Sequence, residues 1–193
     1  YNMKLLRLDI CNFRKLRKCK IDVANEKTIF VGANNSGKTS AMNCLMLFLG
    51  KSRDDENSNI SNFSTYDFTI DNWREIIQIG EKWEEIDEIV DEAQLLSEWD
   101  SLLPQLDVWL KVSDNELHHV SKIIPSLDWE GGKLGVRLRF EPKNIIDLFN
   151  DFRERRAHIR KLERDDIELW PKSLLDFLKK GNKLNEYFKI KSY

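Results

Sequence analysis

The residues with the plainest chemical purpose lie between positions 28 and 45, in the stretch TIFVGANNSGKTSAMNCL. Gly32 and Gly37 bracket four residues and are followed by Lys38 and Thr39, the G-x-x-x-x-G-K-T spacing of a phosphate cradle, the Walker A pattern. The two glycines allow backbone angles that turn successive N–H groups inward on a β-phosphate. The free N–H groups and dipole at the start of the following helix favour the same anion. Lys38 adds a charge that reaches the β- and γ-phosphates, and the Thr39 hydroxyl is a ligand for Mg²⁺. Asn34, Asn35, Ser36 and Ser40 complete the candidate set, and the expected cofactors are ATP and Mg²⁺.

A cradle alone does not hydrolyse anything, and the other parts of such machines have their own signatures. A guanine reader needs NKxD; Asn182-Lys183-Leu184-Asn185 lacks the acid and reads as a polar loop. Hydrolysis needs an acid at the end of a buried apolar strand. Ile89-Val90-Asp91-Glu92 offers only two apolar residues before its acids, and these continue a helical stripe. No LSGG-like segment is present. His118 and His119 are adjacent, so on a helix they diverge, and His158 is distant; a histidine metal site is not expected. Three cysteines, Cys11, Cys19 and Cys44, form no CxxC pair and read as reduced thiols of a cytosolic protein.

The elements that must position the cradle follow from periodicity. KLLRLDI, CKIDV and KTIFV read as short strands, with five basic residues within the nine positions of NFRKLRKCK. A helix of about eleven residues is expected after the cradle, stopped by Gly50. Residues 51–65 read as a polar loop. A short helix from Asp71 to Gly80 and a longer one through Trp83, Ile86, Ile89/Val90, Ala93, Leu96 and Leu103 should follow. The second has an acidic face of Glu81, Glu84, Glu85, Asp87, Glu88, Asp91 and Glu92. Residues 105–141 then switch to period two. Ser113-x-x-Glu116 caps a helix through Ile124, and Gly131-Gly132 marks a two-residue hairpin. Asn144 to Arg164 reads as a helix with a basic face of Arg153, Arg155, Arg156, Arg160, Lys161 and Arg164, flanked by Glu154 and Glu163. Pro171 opens SLLDFLKK, Gly181 closes it, and YFKIKSY starts a strand.

The opening MKLLRLDICNFRKLRKCKIDVANEKTIFVGANNSGKTSAMNCLMLFL resembles the N-terminus of the RecF/SMC/OLD group of ABC-type ATPases. A first strand ending in NFR, a second short strand and a G-x-N-N-S-G-K-T cradle carry the likeness; Asn34-Asn35 is its discriminating detail. Tyr66-Asp67-Phe68 is similar to the DF step of OLD (overcoming lysogenization defect) proteins, and LDVWLKV with KLGVRLRFEP fits the antiparallel lobe of such heads. The resemblance is close over the first 48 residues or so and looser to about 141. It implies an α/β fold: a P-loop NTPase, the N-terminal part of an ABC-type ATPase head with an antiparallel β lobe and a helical insertion. It also implies that Arg14 lies near the nucleotide, that two heads of a homodimer sandwich ATP, and that signature and second acid come from the C-terminal part of the head. OLD proteins append a Toprim nuclease.

Three segments are expected on this basis. Residues 3–50 hold the first strands, the cradle and its helix; 51–104 hold the polar loop and helical insertion; 105–193 hold the remaining strands and helices of the N-terminal part of the head. Met3 is expected to be the natural start, and the chain a fragment whose C-terminal head is missing, inactive as an ATPase by itself. With 31 Lys+Arg against 33 Asp+Glu, net charge −2 neither requires nor excludes nucleic acid. The longest apolar run, CLMLFL, is too short to span a bilayer, and no signal-peptide layout is present, so a cytoplasmic protein without membrane contact is expected. The first reading is an OLD-like ATPase/endonuclease coupling ATP to nucleic-acid processing, as in anti-phage defence. The second is a RecF/SMC-type DNA clamp without nuclease, and the third a small P-loop kinase.

Overall fold

A computed structural model describes residues 3–50, 62–86, 91–124, 126, 128–162 and 169–193. Five strands form one antiparallel sheet in the order β2-β1-β3-β4-β5. They are β1 (Lys4–Phe13), β2 (Leu16–Asp22), β3 (Gln105–Val112), β4 (Gly132–Pro142) and β5 (Phe188–Ser192). The helices are α1 (Lys38–Leu49), α2 (Ile70–Glu85), α3 (Glu92–Ser97), α4 (Ile145–Leu162), α5 (Leu174–Lys179) and α6 (Lys183–Tyr187). Both edges carry cations: Arg17, Lys18 and Lys20 on β2, Lys189 and Lys191 on β5.

Alternation along the strands separates the faces of the sheet. Leu8, Ile10 and Phe13 of β1, Leu106 of β3, Phe140 of β4 and Phe188 of β5 form one core with Cys44 and Phe48 of α1, Trp83 of α2 and Phe152 of α4. Phe63 stacks on Phe140 at 4.0 Å and meets Phe48 edge-on at 5.2 Å, tying the segment after α1 to the sheet. The opposite face is a lattice of charge. Arg7 pairs with Asp9 at 2.9 Å, the Trp109 indole donates to Asp9 at 3.0 Å, and Arg137 grips Asp107 with two bonds of 2.9 and 3.0 Å. Glu141 accepts from Arg139 (2.7 Å), the Tyr193 hydroxyl (2.7 Å) and Lys191 (2.8 Å).

The helical layer departs from the sequence expectation at Gly80. Instead of ending one helix there, α2 runs through it to Glu85. Gly80 is buried because α5 crosses at this point: a Cβ would come within 2.6 Å of the Leu174 Cβ and 3.2 Å of its backbone nitrogen. The missing side chain serves a close approach. The acidic and basic faces then meet. Glu84, 8% exposed in its side chain, accepts from Arg156 at 2.8 Å and pairs with Arg160. Arg153 donates to the Ile86 carbonyl beyond the end of α2 and lies over Phe149; Arg155 lies over Trp170.

Three further expectations are corrected. Residues 28–31 are not a strand: no ladder partner reaches them among the described residues, and Ile29 and Val31 stand 66% and 88% exposed. The helix expected from Ser113 to Ile124 is a 3-10 turn over Asp114–His119; Ser113 makes no side-chain cap, its carbonyl alone accepting from Glu116 at 2.9 Å. Gly131 and Gly132 take positive φ of 107° and 116° at the end of that connection, where Gly132 pairs with Val112, rather than at the centre of a two-residue hairpin. Polar residues 51–61, and Asp87, Glu88, Ile89, Val90, Glu163 and Arg164, lie outside the described residues. Among the described residues no helix is long and apolar enough to cross a membrane.

Candidate functional site

The cradle is a loop between the extended segment 28–31 and α1. Asn35 (φ 68°) and Gly37 (φ 99°) take the left-handed region that turns the chain back, and the Ser36 N–H donates to the Ala33 carbonyl at 3.2 Å. Gly37 also satisfies a packing demand, since a Cβ there would meet Leu16 of β2 at 2.8 Å. Helix α1 opens at Lys38, with Ala41 N–H bonded to the Gly37 carbonyl at 2.9 Å and no acidic residue in its first turn. Below the cradle the helix is fixed to the core by Cys44, whose thiol burial pushes up to about 12, with Asp67 adding to the shift. It is therefore a neutral packing group at ordinary pH.

Lys38 folds back over the loop. Its amine donates to the Gly32 carbonyl, to the Ala33 carbonyl at 2.7 Å and to the Ser36 hydroxyl at 3.4 Å. A Cβ at Gly32 would come within 2.8 Å of the Ser36 hydroxyl, so the interior of the loop is left open only by glycine. The cavity here is about 420 Å³, lined by Asn34, Asn35, Ser36, Gly37, Lys38, Thr39 and Ser40 together with Lys15. Every one of these groups is neutral or cationic. Thr39 is exposed, Ser40 buried. Backbone N–H groups of the loop and the start of α1, the cations Lys15 and Lys38 and an exposed hydroxyl suit a triphosphate and its magnesium. The residues fit that cofactor.

The expected set is thus contiguous, apart from Arg14. The Arg14 side chain donates to Asp67 at 2.9 Å, its backbone N–H donates to the Asp67 carbonyl at 2.8 Å, and the guanidinium lies over Phe13 at 5.3 Å. Asp67 is 2% exposed and also accepts from the Ser64 N–H at 2.8 Å. Arg14 is therefore held beside the cradle without lining it. The residue that does reach it is Lys15, which sequence reasoning passed over. Its amine donates to the Asn35 carbonyl at 2.5 Å and to the Asn35 side-chain oxygen. The available signal was the turn itself: Phe13 pairs with Leu16, which leaves Arg14 and Lys15 at the tip.

The competing features resolve into structural roles. Asn185 donates to the Phe63 carbonyl (2.7 Å) and to the Asn182 side chain (2.8 Å), so the NKLN segment ties down a turn. Asp91 precedes α3 and is exposed, as is Glu92. His118 and His119 do not diverge as a helix would make them: in the 3-10 turn their rings lie 3.9 Å apart, and among the described residues no group of three or more His, Cys, Asp or Glu is placed to hold a metal. Arg153 and Arg156 are spent on α2, as described above.

A phosphate-cradle loop opening a helix, packed on a mixed α/β scaffold with a five-stranded antiparallel sheet, is consistent with a P-loop NTPase. No curated protein matches the chain at a significant level. A family model described as the AAA ATPase domain matches residues 3–193, and the chain belongs to that family.

Proposed function

We propose that the chain binds Mg·ATP at Gly32–Ser40 and is the ATP-binding N-terminal segment of an OLD-like ATPase/endonuclease that couples nucleotide state to nucleic-acid processing, as in anti-phage defence. Family membership implies nucleotide binding. The observation that carries the sharper reading is the bolt between the NFR turn and the Asn34-Asn35 cradle: Lys15 holds Asn35, and Asp67 of the YDF step holds Arg14. The motifs that carry the OLD-like resemblance are thereby brought into one place. Backbone N–H groups of the loop and Lys38 would hold the phosphates, Thr39 the Mg²⁺, and the metal would neutralise charge on the β- and γ-oxygens. In this reading a second head closes over the nucleotide in a homodimer. The exposed Ile29 and Val31 (66% and 88%), directly before Gly32, support an apolar partner surface beside it.

Calorimetry with Mg·ATP tests the site. Lys38→Ala should abolish measurable binding while the melting temperature holds, because the amine contacts only exposed loop atoms. Unchanged affinity would refute the site.

A further inference from the structure

A second cavity, of about 730 Å³, opens next to the cradle and shares Lys15 and Ser40 with it. Its volume falls within the range of small-molecule sites, about 300–1,000 Å³. Its other walls come from the β1–β2 hairpin, with Arg14 and Arg17, and from the YDF step and the start of α2. Tyr66 and Ile70 are 58% and 68% exposed, large apolar groups that the fold leaves uncovered. Yet this wall is braced from within. The Trp73 indole N–H donates to the Thr65 carbonyl at 2.8 Å, and Tyr66 meets the Trp73 ring edge-on at 5.7 Å. Lys179 sits 5.1 Å from the Tyr66 ring centre, and Arg17 and Asp71, which also line the cavity, pair with each other.

One polar atom in this wall is unspent. Thr69 lines the cavity, is 3% exposed and precedes α2 without capping it, and its hydroxyl has no hydrogen-bond partner. An unpaired buried hydroxyl costs free energy unless something supplies the missing bond. A hydroxyl can donate or accept, so it can read a nitrogen of either kind.

We infer that this cavity takes the base and ribose of the nucleotide whose phosphates occupy Gly32–Ser40, with Tyr66 as the stacking wall and the Thr69 hydroxyl as the polar contact. The inference rests on the ATP reading and adds to it where the base lies. A flat aromatic ligand suits the Tyr66–Trp73 wall, and the shared Lys15 and Ser40 make the two cavities one continuous surface. A peptide or a second copy of the chain would have no reason to require the cradle.

The test compares Mg·ATP with Mg·tripolyphosphate, a probe that has the phosphates and no base, by calorimetry on the whole chain. Wild type should bind ATP more tightly than tripolyphosphate. Tyr66→Ala should weaken ATP roughly fivefold or more, the lower end of one base–aromatic stack, and leave tripolyphosphate unchanged. Retained tripolyphosphate binding also shows that the variant is folded. Thr69→Val should weaken ATP about threefold or more while raising the melting temperature, since it deletes an unpaired buried group. Equal affinity of wild type for the two probes, or a Tyr66→Ala variant that weakens both alike or neither, overturns the inference and leaves the phosphate site standing. Failure of wild type to bind either probe overturns the ATP reading itself, and the inference with it.

Discussion

Gly80→Ala sets two opposing effects against each other, and the structure decides between them. In a helix interior, alanine is favoured over glycine by about 1 kcal/mol, because glycine loses more backbone freedom on folding. At Gly80, however, the added methyl would lie 2.6 Å from the Leu174 Cβ, 3.2 Å from the Leu174 nitrogen and 3.3 Å from the Phe152 ring. The first two atoms move only if α5 moves, and Leu174 is fully buried. Overpacking of a tight core costs about 1–3 kcal/mol, and two backbone-fixed contacts put this site in the upper half of that range. The net effect is a loss of about 1–2 kcal/mol. For a domain of this size each kcal/mol moves the melting temperature by about 2–4 °C, so a fall of roughly 2–8 °C is expected. Thermal melts followed by far-ultraviolet circular dichroism, with urea titration as a second measure, report it directly. A variant that melts at or above the wild-type temperature would mean that α2 and α5 do not approach as described. The propensity gain alone would then be visible.

Two other perturbations test the electrostatic framework. Arg156→Ala leaves the nearly buried Glu84 with the half-exposed Arg160 alone, and should cost about 2 kcal/mol, below the range for an orphaned buried charge because one partner remains. An unchanged melting temperature would return Arg156 to a surface role open to other ligands. At Glu141, burial pushes the carboxyl up, but hydrogen bonds from Lys191, Tyr193 and Arg139 outweigh it and hold the group below the ordinary glutamate value. A depressed folded-state value gives stability that is complete above the unfolded value of about 4.3 and is lost as pH falls through the folded one. Glu141→Gln should therefore flatten the acid side of the stability profile in urea titrations between pH 5 and pH 2, while an unaltered slope would rule out this contribution.

The cradle and its helix were readable because their signals are local: spacing from Gly32 to Thr39, then an apolar run stopped by Gly50, matches α1 to within a residue. What failed was information that sits elsewhere in the chain. Apolar alternation in KTIFV reads as a strand, but a strand exists only when another backbone accepts its ladder, and among the described residues none does. Gly80 reads as punctuation because sequence cannot say whether a missing Cβ serves a turn or a neighbour 94 residues away, here Leu174. The acidic face of α2 and the basic face of α4 were each legible as charged surfaces. That Glu84 and Arg156 belong to each other depends on how the helices cross. In the site, Arg14 drew attention and Lys15 did not, although it is Lys15 at the turn tip that touches the cradle.

The lysines along β2 and β5 carry a consequence for assembly. An outer strand exposes an unpaired row of backbone donors and acceptors, on which another chain could add a strand about 4.8 Å away. On β2 such an addition would bring Arg17, Lys18 and Lys20 of two copies close together, with Asp22 the one acid on the strand, and on β5 Lys189 and Lys191. Like charges at that spacing repel, which disfavours growth of the sheet through either edge.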